Sequence, residues 1–222
     1  MGRWIELTAA DGHRLQAYQA EPTTAPRAAV IVAQEIFGVN SHIRAVTDGF
    51  AAAGYLAMAP ALYDRVQRNF EVGYQAADIQ AGRALKEQVS WEQALMDLSA
   101  ARDAVKAAGP VGVVGYCWGG SVAWVAAARL EGIAASVPYY GGNIPGLIAL
   151  QPRCPVMLQF GETDGSIPLD QARAVAAAHP EVTTHFYPAG HGFNCDQRGS
   201  FDATCAAQAR ERTLAFFAQH LG

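Results

Sequence analysis

No run in this chain is apolar over the roughly 20 residues that a bilayer-spanning helix needs. The amino terminus meets Arg3 and then strand-like alternation, from which we expect no secretion signal. Charge is sparse, at 16% of 222 residues, and 16 basic against 20 acidic side chains leave a net charge of −4. The basic residues are scattered, which excludes the positive field that nucleic acid requires. Cysteine is scarce too. The four residues Cys117, Cys154, Cys195 and Cys205 contain no C-x-x-C pair, so neither a disulfide framework nor a zinc site is legible. There are no internal repeats and no low-complexity segments. These absences lead us to expect a cytoplasmic protein with no metal or cofactor and with neither nucleic acid nor membrane as partner. What is abundant is core: 51% of the residues are hydrophobic, enough for one compact domain over residues 1–222.

The pattern of that core alternates. Trp4-Ile5-Glu6-Leu7 and Leu15–Ala20, around Asp11-Gly12, read as an opening hairpin. Strands then alternate with helices. Ala29–Gln34 is a near-continuous apolar strand. A helix follows Asn40-Ser41, with Ser as cap, and is ended by Gly54. Tyr55–Pro60 is the next strand, and residues 61–90 read as a polar, irregular excursion over a rim. Trp91–Ala108 is an amphipathic helix, with Leu95, Leu98, Ala101 and Val105 near one face. Ile133–Tyr140, Cys154–Gly161 and Thr183–Pro188 complete the strands. Such alternation predicts an α/β fold with a mostly parallel central sheet and helices on both faces.

Within it, Val111-Gly112-Val113-Val114-Gly115-Tyr116-Cys117-Trp118-Gly119-Gly120-Ser121 is an apolar run that breaks into G-x-C-x-G and continues into an Ala-rich segment. This is strand, tight turn, helix, the layout of a nucleophile elbow with a thiol in place of a serine hydroxyl. The flanking glycines answer a steric demand, because a Cβ there would strike the neighbouring strand or helix. Cys117 would stand at the amino end of a helix, where free N–H groups favour a thiolate and later an oxyanion. The competing reading is a buried structural thiol, and partners elsewhere in the chain decide between them.

The elbow calls for an acid and then a histidine, in that order. Asp164 follows the strand ending at Gly161, with Glu162 as an alternative acid, and His191 follows the strand ending near Tyr187. Each candidate lies after a separate strand, so the three can meet at one rim of a parallel sheet. His13, His42, His179, His185 and His220 are expected to be surface or structural residues. At the end of the first parallel strand, Gln34-Glu35-Ile36-Phe37-Gly38-Val39-Asn40 occupies the place where the fold supplies a second oxyanion donor. A carboxylate such as Glu35 is unexpected there, since it would oppose developing negative charge unless it does something else, such as meet the resting thiol.

Gly115-Tyr116-Cys117-Trp118-Gly119-Gly120, Gln34–Asn40, the Gly161-Glu162-Thr163-Asp164 turn and Ala189-Gly190-His191-Gly192-Phe193 together resemble the dienelactone hydrolases, also called carboxymethylenebutenolidases. The resemblance runs from Asp11-Gly12 to Glu211-Arg212-Thr213-Leu214. It implies the α/β-hydrolase fold and a carboxylic ester hydrolase that opens an enol-lactone such as dienelactone, or a related activated ester, through an acyl-cysteine intermediate. Carried over, Cys117 is the nucleophile, His191 the proton shuttle and Asp164 its orienting acid. Glu35 contacts the resting thiol until substrate displaces it, and the N–H groups of Ile36 and Trp118 hold the oxyanion. The setting implied is aromatic catabolism.

This chain also departs from that family. Members acting on dienelactone clamp its carboxylate with arginines, one of them shortly after the catalytic histidine. Here the fourth residue after His191 is Cys195, a candidate pocket thiol, and the first arginine is Arg198, close to Asp196. Arg65, Arg68 and Arg83 stay open as a second clamp. Arg83, Arg198, Phe37 and Tyr140 are the candidate substrate-binding residues, with plain aromatic packing as the alternative for Tyr140. The expected partner is a small lactone or ester, and the expected state a monomer or weak homodimer. Two other readings stand beside the enzyme: a small-molecule-binding or stress-related protein with little turnover, and a thiol redox protein pairing Cys117 with Cys195.

Overall fold

Ala28–Ala33 (β3) explains the sheet in six residues. All six are buried; Ala28, Val30 and Val32 face one hydrophobic core, while Ala29, Ile31 and Ala33 face another. A strand apolar on both faces belongs in the middle of a parallel sheet covered on both sides. The computed structural model, which describes residues 2–222, places it there.

Eight strands form one sheet in the order β1-β2-β4-β3-β5-β6-β7-β8. The expected hairpin is β1 (Arg3–Thr8) and β2 (Arg14–Ala20), and β2 runs antiparallel to β4 (Tyr55–Pro60). From β4 through β3, β5 (Val111–Tyr116), β6 (Ala135–Tyr139), β7 (Met157–Gly161) and β8 (Thr183–Tyr187), every pairing is parallel. One core is completed by α1 (Ser41–Ala52), α5 (Leu169–Ala178) and α6 (Ala203–Leu221), the other chiefly by α3 (Trp91–Val105) and α4 (Trp118–Arg129). Parallel strands end at one rim, so the residues after β3, β5, β7 and β8 converge there.

Several boundaries shift from expectation. The cap of α1 is Asn40, whose side chain accepts from the Ile43 N–H, rather than Ser41. The helix from Trp91 ends at Val105 and tightens into a 3₁₀ turn over Lys106–Ala108. β7 starts only at Met157, after Pro155, which has no N–H to give a ladder. The largest correction concerns residues 61–90, which contain a helix, α2 (Ala76–Lys86), started by a reciprocal capping box between Gln75 and Asp78. Among the described residues, no helix is long and apolar enough to cross a membrane.

Candidate active site

The chain turns from β5 into α4 at Cys117, whose backbone is held at φ 55° and ψ −118°. That left-handed conformation costs a non-glycine residue about 1–3 kcal/mol. Its surroundings leave no alternative. A Cβ on Gly115 would lie 1.9 Å from the Gly119 carbonyl oxygen, and one on Gly119 would lie 2.2 Å from that of Ala33 in β3. The glycines at both flanks therefore let helix and strand close around the elbow. Cys117 caps α4, so the positive end of the helix dipole faces its sulfur.

Two hydrogen bonds link the three predicted residues. His191 Nε2 is 3.1 Å from Cys117 Sγ, and His191 Nδ1 is 2.8 Å from Asp164 Oδ2. A carboxylate only accepts, so Nδ1 carries a proton and Nε2 faces the sulfur. Asp164 is fixed in turn by the N–H groups of Ser166 and Ile167, both donating to Oδ1. Glu162, the alternative acid, is exposed. Burial works against the imidazolium of His191, but the Cys117 sulfur and the Asp164 carboxylate outweigh it and raise the pKa to about 10. Tyr140 is not in the pocket as expected: it is fully buried, with its ring centroid 5.1 Å from that of His191, because β6 ends beneath the imidazole and the ring packs there.

Glu35 is also completely buried, yet among the described residues no hydrogen bond joins it to Cys117. This corrects the expected resting contact. Arg198 Nη1 donates to Glu35 Oε1 at 3.2 Å, and the Tyr74 hydroxyl donates to Oε2 at 3.3 Å. The physical reason is charge: a buried carboxylate takes a guanidinium ahead of a thiol. Burial opposes the charge on Arg198, but Glu35 reverses the balance and shifts its pKa upward. The guanidinium also lies over the rings of Phe37 and Tyr74, at 5.6 and 5.7 Å.

Above these groups opens a cavity of about 340 Å³, lined by Cys117, His191, Ile36, Phe37 and Trp118 and by three cations, Arg83, Lys86 and Arg198. Arg83 and Arg198 were expected there. Lys86 and Ile79 were missed, because they depend on α2, whose capping box and Ile79/Gly82/Leu85 spacing were the available signals. The other arginines are elsewhere: Arg65 binds Asp97 and Asp11, and Arg68 reaches the Arg14 carbonyl and Glu6. The N–H groups of Ile36 and Trp118 have no hydrogen-bond partner among the described residues. Behind the pocket, Glu35, His42 and Cys195 each place one donor atom within 4.8 Å of the others, and all three are buried. His42 was expected to be merely structural; the cluster was invisible in sequence because its members come from separate segments.

A tight strand-to-helix turn at Cys117 after β5, with Asp164 after β7 and His191 after β8 at the carboxyl rim of a mostly parallel sheet, is the layout of an α/β-hydrolase-type fold. Residues 15–221 match the model of the Dienelactone hydrolase family, to which the chain belongs. It is accordingly a hydrolase of the dienelactone hydrolase type. It is 33% identical over 225 residues to Carboxymethylenebutenolidase 1 of Cupriavidus pinatubonensis, covering 96% of this chain and 95% of that one. It is 37% identical over 229 residues to a Synechocystis sp. protein provisionally named a carboxymethylenebutenolidase, covering 94% and 93%. A crystal structure from Klebsiella pneumoniae subsp. pneumoniae, provisionally described as a dienelactone hydrolase, superposes with a TM-score of 0.82 at 33% identity, covering 98% and 99%.

Proposed function

We propose that this protein hydrolyses an anionic enol-lactone of the dienelactone kind through an acyl-cysteine intermediate. The observation that carries the reading is the hydrogen-bonded chain Cys117–His191–Asp164, opening under three cations. Cys117 Sγ attacks the lactone carbonyl carbon once its proton has passed to Glu35, with His191 already protonated beside it. The N–H groups of Ile36 and Trp118 receive the oxyanion. The ring C–O bond then breaks, and the enolate leaves with the proton from His191. Water, deprotonated by the same nitrogen, attacks the thioester carbonyl and returns Cys117 to its resting state. Asp164 keeps the imidazole oriented throughout.

Arg83, Lys86 and Arg198 supply the charge for a substrate carboxylate. When that carboxylate takes Arg198, Glu35 is released from its ion pair and can accept the proton of the Cys117 thiol. A group that swings in this way need not oppose the oxyanion. The lactone or ester is the partner, and we place the enzyme in the cytoplasm, in aromatic catabolism. The test is turnover of cis- and trans-dienelactone beside p-nitrophenyl acetate by wild type and Cys117→Ala. Dienelactone turned over far faster than the neutral ester, with both rates abolished in the folded variant, is the expected result; hydrolysis retained by Cys117→Ala sinks the mechanism.

A further inference from the structure

Three buried side chains behind the pocket have the chemistry of a ligand set. Glu35 and Cys195 are fully buried, and His42 is 3% exposed. One donor atom of each lies within 4.8 Å of the other two. His42 Nδ1 is 3.2 Å from Oδ1 of the exposed Asp196, so it points outward. Its other nitrogen, Nε2, is buried without a hydrogen-bond partner among the described residues and is the one left to face the cluster. A partnerless buried imidazole nitrogen is costly unless something occupies it.

We infer that Glu35, His42 and Cys195 form a binding site for a thiophilic divalent cation of the zinc type, separate from the Cys117 nucleophile. A mixed oxygen, nitrogen and sulfur set suits zinc and disfavours magnesium or calcium, which take oxygen ligands. Bond lengths of about 2.0–2.3 Å need donors about 3.3–3.7 Å apart, so no pair closes in by more than about 1.5 Å. Asp196 occupies the place of the outer carboxylate that usually receives the second N–H of a metal-bound histidine and fixes its tautomer. The outer side of His42, with Asn194 and Asp196, lines a surface depression of about 350 Å³.

Charge balances: the cation takes up the Cys195 sulfur as thiolate, releasing one proton, and replaces Arg198 as the partner of Glu35. Arg198 then loses its carboxylate, and Glu35, held by the cation, cannot take the Cys117 proton. The cation is thus a reversible inhibitor of the lactone reaction; this consequence, unlike the site itself, rests on the function proposed above.

The test is equilibrium titration of metal-stripped protein with Zn²⁺ against a chromophoric chelator, together with Co²⁺ as a spectroscopic probe. Wild type and Cys117→Ser should each take one equivalent and show a thiolate-to-cobalt charge-transfer band. Cys195→Ser should lose the band, and both it and His42→Gln should bind at least about 100-fold more weakly. Thermal melts without metal establish that each variant is folded, and either variant alone suffices. Full affinity in both variants overturns the site, as does no binding by wild type, or loss of binding only in Cys117→Ser, which would put the metal on the nucleophile. Hydrolytic activity does not enter these readouts, so a protein that binds zinc and opens no lactone keeps the site and refutes the proposed reaction.

Discussion

Asp97 and Glu35 are both fully buried carboxylates, and each is met by one arginine that could have served as a substrate clamp. Arg65 grips Asp97 with two bonds, Nε at 2.8 Å and Nη2 at 2.7 Å, and also holds Asp11 at 2.7 Å. Arg198 reaches Glu35 through one bond of 3.2 Å, lies over two aromatic rings and lines the active-site cavity. Forked, paired geometry with four of the five N–H groups bonded ties the β1–β2 turn and the segment after β4 to α3. A single bond at a pocket wall can be exchanged for another anion at modest cost. The number and length of the bonds, more than burial or residue type, separate an arginine that holds the fold from one that can be recruited.

The largest effect expected from breaking this contrast is on stability. Arg65→Ala leaves Asp97 buried and unpaired, at a cost of about 3–5 kcal/mol; a melt should show Tm lower by roughly 10 °C, with the rate per folded molecule unchanged. The opposite outcome is expected for Glu35→Gln. Its amide oxygen can still accept from Arg198 while its NH2 group donates to the Tyr74 oxygen, so Tm should stay near wild type while lactone turnover falls about 100-fold or more, because the thiol loses its proton acceptor. Equal losses of stability in the two variants would erase the distinction between the pairs.

Arg198→Ala should weaken binding of an anionic lactone about 10–100-fold, seen as a raised KM, the worth of one charged hydrogen bond. The KM for p-nitrophenyl acetate should change little. A further effect is in pH dependence and concerns neither pair. The pKa of His191 is raised from 6.5 to about 10 by Cys117 and Asp164, against burial. Its imidazolium therefore contributes stability that is fully present below pH 6.5 and lost as pH climbs through about 10. An NMR titration of the His191 ring should place the midpoint near 10, and lower in Cys117→Ala.

The hydrogen-bonded set Cys117–His191–Asp164 was legible because its signals are local: strand, glycine-flanked turn and helix set Cys117, and Asp164 and His191 each follow a recognisable strand. The hairpin, the parallel strands and α3 were legible from their periodicity for the same reason. Glu35 was legible as an anomaly, but its partner was not, because Arg198 meets it only through tertiary folding. Tyr140 misled: an aromatic at a strand end near the rim can face the pocket or the core, and here it lies beneath His191. α2 was overlooked as its low apolar content hid the helix that carries Arg83 and Lys86 to the pocket. The Glu35–His42–Cys195 cluster left no trace in spacing, since metal-type donors brought together from three segments have no motif.

The most direct test of the account is intact-mass spectrometry after rapid quenching of the wild type with dienelactone and with p-nitrophenyl acetate, followed by peptide mapping. The account predicts a single acyl adduct on the peptide containing Cys117, absent in Cys117→Ala. An adduct on another residue, or turnover of both substrates with no adduct at Cys117 under any quench time, would contradict it.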